Sequence, residues 1–228
     1  MAAAEESRLF AQLRELSAAL DQARISYALI GGFAVNAHGF VRATHDLDIM
    51  VLVEQADMLH DTLTGLAYRT LDRRPDMASY VRAPLRLDVL YARREISRDL
   101  LARAAEIAHG DVKTRVVPLE GLIGLKIQAF HDDPRRIRDL DDIIQLLKIN
   151  RDDVNLEEVR EYFRLFDKES VLDDVLRAIG RATACATARR RTRQFRRAYS
   201  CRVVRLGNGT APVDCGASDA VGRYSSAR

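Results

Sequence analysis

Residues 27 to 53 read YALIGGFAVNAHGFVRATHDLDIMVLV. A short apolar run, Tyr27 to Ile30, ends in Gly31-Gly32. A helix-length segment follows, then Arg42 and Thr44, and then a second apolar run that opens on Asp46 and Asp48. Side chains on a strand alternate faces, so Asp46 and Asp48 point one way while Leu47 and Ile49 point the other, into a core. Two carboxylates side by side at a strand end repel each other. That arrangement suits a divalent cation such as Mg²⁺, which takes oxygen ligands.

A third acid extends the pattern. In LRLDVLY, residues 85–91, Leu85, Leu87, Val89 and Tyr91 share one face, and Arg86, Asp88 and Leu90 share the other. If this strand neighbours the first acidic one, Asp46, Asp48 and Asp88 converge. They would hold Mg²⁺ against a triphosphate, as in metal-assisted in-line displacement. Glycine lets the backbone approach a ligand closely, so Gly31 and Gly32 are candidates for phosphate contact; taken alone, they also fit a tight strand-to-helix turn. Arg42 and Thr44 are candidate contacts to phosphate oxygens, although Arg42 could equally pair with an acid of the body.

Further along, Lys126 of GLIGLKIQAF shares a helical face with Leu122, Ile123, Ala129 and Phe130. A lysine on an apolar stripe needs a partner, and Asp139 of RRIRDLDDIIQLL supplies one. Lys126 would then reach the phosphates, oriented by Asp139. On that second helix Leu140, Ile143, Ile144 and Leu147 read as the core stripe, with Asp142 flanking it on the far side from Asp139. His38, near the Gly-Gly turn, reads as a packing or capping residue, and His45 and His131 lack the partners of a metal site.

The rest of the chain frames these residues. Helices are expected over 5–23, 33–39, 55–65 and 96–107, and strands over 27–30, 47–53, 67–71, 78–83, 85–91 and 112–119. Four helices follow, over 119–131, 135–149, 155–166 and 169–180. Mixed strands and helices that give way to helices indicate an α+β fold: a mixed sheet flanked by helices, with a helical C-terminal part. The expected divisions are a sheet domain at 1–118, a helical part at 119–180 and a tail at 181–228. The chain of 228 residues is 47% hydrophobic and 30% charged, which is ordinary for a globular protein. The tail carries 11 arginines and 2 acids, a charge of +9, against −6 for residues 1–180. From Arg202 onward it lacks periodicity, and on composition the tail reads as a disordered extension, with a nucleic-acid-binding arm as the other possibility. No apolar run spans a bilayer and MAAAEESRLF has no signal-peptide core, so a cytoplasmic protein is expected. The three cysteines all lie in the last 44 residues, without metal-type spacing.

With IGGFAVNAHG (30–39), RATHDLDI (42–49), LRLDVL (85–90), LIGLKIQAF (122–130) and RIRDLDDIIQLL (136–147) in view, the sequence resembles the nucleotidyltransferase superfamily. More narrowly it is similar to AbiEii-type toxin nucleotidyltransferases of toxin–antitoxin systems. The resemblance implies the nucleotidyltransferase fold, Mg²⁺ held by Asp46, Asp48 and Asp88, phosphates at Gly31 and Gly32, and Lys126 and Asp139 as toxin-type additions. It implies an enzyme that moves a nucleotide from an NTP to an acceptor hydroxyl and releases pyrophosphate. The acceptor would be a tRNA 3′ end, and a cognate antitoxin would be a partner. Transfer to an antibiotic-like small molecule or to a protein side chain would use the same acids. A catalytically idle binding protein is the reading from a different class.

Overall fold

In the computed structural model, residues 2–83, 85–109 and 112–180 are described, all within one unit that runs Met1–Thr183. The expected tail at 181–228 lies outside the described residues. Helix α1 (Ala2–Gln22) leads into β1 (Tyr27–Leu29), α2 (Gly31–Ala37) and β2 (Asp46–Leu52). Helix α3 (Ala56–Gly65) connects to three antiparallel-linked strands, β3 (Arg69–Arg73), β4 (Met77–Arg82) and β5 (Leu85–Ala92). After α4 (Glu95–Ala102) come β6 (Ala105–His109) and β7 (Val112–Val116). The chain then turns helical through α5 (Leu119–Asp132), α6 (Ile137–Ile149), α7 (Leu156–Arg164) and α8, residues 169–180.

The strands form one mixed sheet in the order β3-β4-β5-β2-β1-β7-β6. The β2/β5 and β1/β7 pairs are parallel and the others antiparallel. The fold is α+β, a mixed sheet with a helical C-terminal part, as the element pattern implied. Alternation explains the centre. Leu47, Ile49, Val51, Leu87 and Val89 are buried on one face, which leaves Asp46, Asp48, Arg86 and Asp88 on the other. The three residues of β1 are all buried, as a strand inside the sheet requires. One continuous core includes Leu13, Leu16 and Leu20 of α1, the central strands, Ile123 and Ile127 of α5, and Phe163 of α7.

Two elements differ from expectation. The helix expected over 96–107 stops at Ala102, and residues 105–109 form β6 instead. Ala and Glu favour helix, but the backbone of Ala105–His109 pairs antiparallel with β7, and that tertiary pairing overrides the propensity. The helix expected from residue 33 starts at Gly31, immediately after Ile30, whose amide donates to the Asp48 carbonyl at 2.9 Å. That bond ties the turn between β1 and α2 to the acidic start of β2.

Candidate active site

The parallel, in-register pairing of β2 with β5 sets Asp48 opposite Asp88 and Asp46 opposite Arg86. Partners in register share a face, and neighbouring strands lie about 4.8 Å apart. Asp46 is exposed, whereas Asp48 and Asp88 are half-buried. Burial and then the Asp88 charge push the Asp48 carboxyl up to about 6; Asp46 adds to the rise, while the Gly32 backbone amide and the Lys126 charge oppose it. Acids that repel in this way, offering hard oxygen donors, fit a divalent cation in donor chemistry. As they stand, the described residues include no cluster of three His, Cys, Asp or Glu side chains already drawn to ligating distance.

Asp88 is held from its outer side. The Ser79 hydroxyl donates to Asp88 Oδ1 at 2.5 Å, and Arg86 Nε donates to the same oxygen at 2.9 Å. Ser79 stands opposite Asp88 across the β4/β5 pair.

The Gly-Gly turn closes over Asp48. Gly31 has φ +60°, and a Cβ there would lie 2.0 Å from Asp48 Oδ2. A Cβ at Gly32 would lie 2.4 Å from Thr44 Oγ1 and 3.5 Å from an Arg42 guanidinium nitrogen. Only glycine fits at either place without displacing a site side chain. The connection from α2 to β2 is clamped by Asn36: its Oδ1 accepts from the Arg42 amide, and its Nδ2 donates to the Arg42 carbonyl, both at 3.0 Å. The Thr44 hydroxyl donates to the Asp46 carbonyl at 3.3 Å.

Behind the turn lies a chain of alternating charges. Arg42 Nε and Nη2 each donate to Asp142 at 2.7 Å. Lys126 Nζ sits 2.6 Å from Asp142 and 2.8 Å from Asp139, and Arg136 Nε reaches Asp139 at 2.6 Å. Lys126, Asp139 and Asp142 are all buried. Lys126 and Asp139 therefore meet, and of the two alternatives for Arg42 the structure places its guanidinium on an acid of the body. Burial pushes the Asp142 carboxyl up, but the bonds and charges of Arg42 and Lys126 outweigh it and hold the group below its ordinary value. His38 has a packing role: its Nε2 lies 2.9 Å from the Val117 carbonyl.

Asp142 corrects the expected stripe of α6. The buried residues are Asp139, Asp142, Ile143, Leu146 and Leu147, so the inner face is rotated to include both acids. The spacing 139, 142, 143, 146, 147 is itself helical, and it was hidden because two of its members are charged. Ser79 and Arg86 are not among the sequence candidates; strand alternation already puts Arg86 on the face of Asp88, and only the strand register brings Ser79 to it.

The fold is that of the nucleotidyltransferases. The aminoglycoside-2''-adenylyltransferase family profile matches residues 12–96, a stretch that contains Gly31, Gly32, Asp46, Asp48 and Asp88. A solution structure of the antibiotic-resistance factor ANT(2'')-Ia is 14% identical, with a TM-score of 0.53 over 78% of this chain and 98% of that one. A crystal structure of ANT(2'')-Ia in complex with adenylyl-2''-tobramycin is 15% identical, with a TM-score of 0.54 over 69% of this chain and 95% of that one. At these identities the likeness is one of fold. No curated protein matches the sequence.

Proposed function

We propose that the protein transfers an adenylyl group from ATP to a hydroxyl of a small, antibiotic-like molecule. The observation that carries this reading is the family match over residues 12–96, which takes in the whole carboxylate and glycine site. Adenylylated tobramycin is the molecule in the similar crystal structure of ANT(2'')-Ia, and it supports the same acceptor class. The sequence resemblance to toxin enzymes, with a tRNA acceptor and an antitoxin partner, receives no such support.

In this reading Asp46, Asp48 and Asp88 hold Mg²⁺, which when bound offsets charge on the triphosphate. Gly31 and Gly32 let the phosphates approach the backbone, with Thr44 beside them. Asp88 accepts the proton of the acceptor hydroxyl as its oxygen attacks the α-phosphorus; the bond to the bridging oxygen breaks and pyrophosphate leaves. Lys126 and Arg42 act from behind, as fixed cations on Asp139 and Asp142 that set the turn and the charge around Asp48.

The test is label transfer from α-labelled ATP to a panel containing an aminoglycoside, a lincosamide and total tRNA. Label on a small molecule, lost in Asp48→Ala and Asp88→Ala, is the expected result. Label on tRNA alone would overturn the acceptor class and restore the toxin reading. Neither ATP binding nor transfer would favour an idle fold member.

A further inference from the structure

Ser79 is an unexpected residue for its place. It lies inside β4, between the buried Ala78 and Tyr80, and is itself only 3% exposed. A buried hydroxyl costs free energy unless it is bonded. Its bond goes to the Asp88 carboxylate, at the shortest distance that Asp88 makes with either neighbour, 2.5 Å against 2.9 Å from Arg86 Nε. Arg86 Nη2 also donates to Ser79 Oγ at 3.2 Å, which closes a triangle of Ser79, Arg86 and Asp88. Both donors fall on the same carboxylate oxygen, Oδ1.

We infer that Ser79 and Arg86 are positioning residues that fix the Asp88 carboxyl by Oδ1 and so present Oδ2 to the reaction centre. The inference rests on the nucleotidyl-transfer reading of the site. The terminal torsion of an aspartate is broad and roughly two-fold, so a free Asp88 would offer either oxygen over a range of directions. Two donors on one oxygen remove that freedom. They come from different directions, one from β4 across the strand pair and one from the residue two positions earlier on β5. Arg86 stands opposite Asp46 and is half exposed, so its charge also sits beside the acid pair without being buried among them. Misplacing a reacting group by about 1 Å costs on the order of a hundredfold in rate, so an anchor of this kind acts mainly on turnover rather than on nucleotide affinity.

The experiment uses the full chain with Ser79→Ala and Arg86→Lys, both of which conserve charge. Mn²⁺ binding to the nucleotide-free protein is followed by electron paramagnetic resonance, and ATP turnover is measured beside it. Ser79→Ala is expected to weaken Mn²⁺ binding several-fold and to lower kcat about tenfold, with KM for ATP within about twofold and the melting temperature unchanged. Ser79→Thr, which keeps the hydroxyl, restores both readouts, and Arg86→Lys falls between. Wild-type Mn²⁺ affinity and kcat in Ser79→Ala would overturn the inference, as would a lowered melting temperature with both readouts intact. If Ser79→Ala does not fold, Arg86→Lys carries the same comparison. If the wild-type protein modifies no acceptor, the functional reading fails, and the Mn²⁺ comparison still decides the role of Ser79 and Arg86.

Discussion

Arg42 and Asp142, a hundred positions apart in the chain, meet in a two-armed ion pair with both N–O distances at 2.7 Å. The Asp142 side chain is completely buried and that of Arg42 is 16% exposed. The pair joins the connection between α2 and β2 to α6, and Lys126 of α5 reaches Oδ2 of the same carboxylate at 2.6 Å. Removing one partner of a buried pair leaves an uncompensated charge, at a cost of about 3–5 kcal/mol. Asp142→Asn is therefore expected to destabilise the protein by about that amount, since Arg42 loses its anion and Lys126 is left with Asp139 alone. Arg42→Met costs less, because Lys126 still neutralises Asp142. Urea unfolding of the two variants measures the difference, and equal stabilities would exclude a shared carboxylate at the centre. The folded-state value of Asp142 is lowered from 3.8, so its contribution is complete above that pH and is lost as pH falls through the depressed value.

Asp48 has the opposite sign. Its folded-state value rises from 3.8 to about 6, so the folded protein binds the proton more tightly than the unfolded chain. Stability is then highest below pH 3.8 as far as this group is concerned, falls between pH 3.8 and about 6, and is flat above. The whole effect is at most about 3 kcal/mol. Asp48→Asn should abolish the decline and melt higher than wild type at neutral pH. A divalent cation favours the ionised carboxylate, so Mg²⁺ should raise the melting temperature at pH 7 and have little effect at pH 5. Melting curves at the two pH values, with and without Mg²⁺, check both statements.

The acidic strands were legible because burial enforces a two-residue alternation. Leu47, Ile49, Leu87 and Val89 mark the inner face, and Asp46, Asp48 and Asp88 fall on the other by default. The register that sets Asp48 against Asp88 is a tertiary fact, and so is the placement of Ser79 beside them. Strand β6 was hidden by local composition, since nothing within AEIAH itself announces pairing with β7. Asp142 was hidden for a different reason: a charged residue reads as surface until its partners are known. Lys126 was easier, because a single lysine in an apolar stripe raises the question of its partner.

The turn over Asp48 predicts a sharp response to the smallest possible side chain. Gly31→Ala places a methyl 2.0 Å from Asp48 Oδ2, on a residue at φ +60°. Strain at such a position costs about 1–3 kcal/mol for a non-glycine residue, and the overlap with Asp48 adds to it. Transfer activity should fall at least about a hundredfold, because the carboxylate itself must move. Gly65→Ala is the control: it meets nothing within 4 Å and should leave activity unchanged. Comparable activity in the two variants would show that the turn does not shape the site.

Gly124 on α5 tests how firmly the helical part holds Lys126, two residues further along the helix. An alanine in a helix interior is favoured over glycine by about 1 kcal/mol. Here its Cβ would sit 2.6 Å from Cδ1 of the Tyr162 ring on α7. Overpacking costs about 1–3 kcal/mol, and the Tyr162 ring has little room to retreat: it is 7% exposed, and its hydroxyl donates to Glu158 at 3.4 Å. The clash outweighs the propensity, so Gly124→Ala is expected to lower stability by about 1–2 kcal/mol. Pairing it with Tyr162→Leu removes the ring edge, and the double variant should be more stable than the sum of the single effects. A thermal-melting double-mutant cycle measures that coupling, and simple additivity would show that the two helices adjust independently.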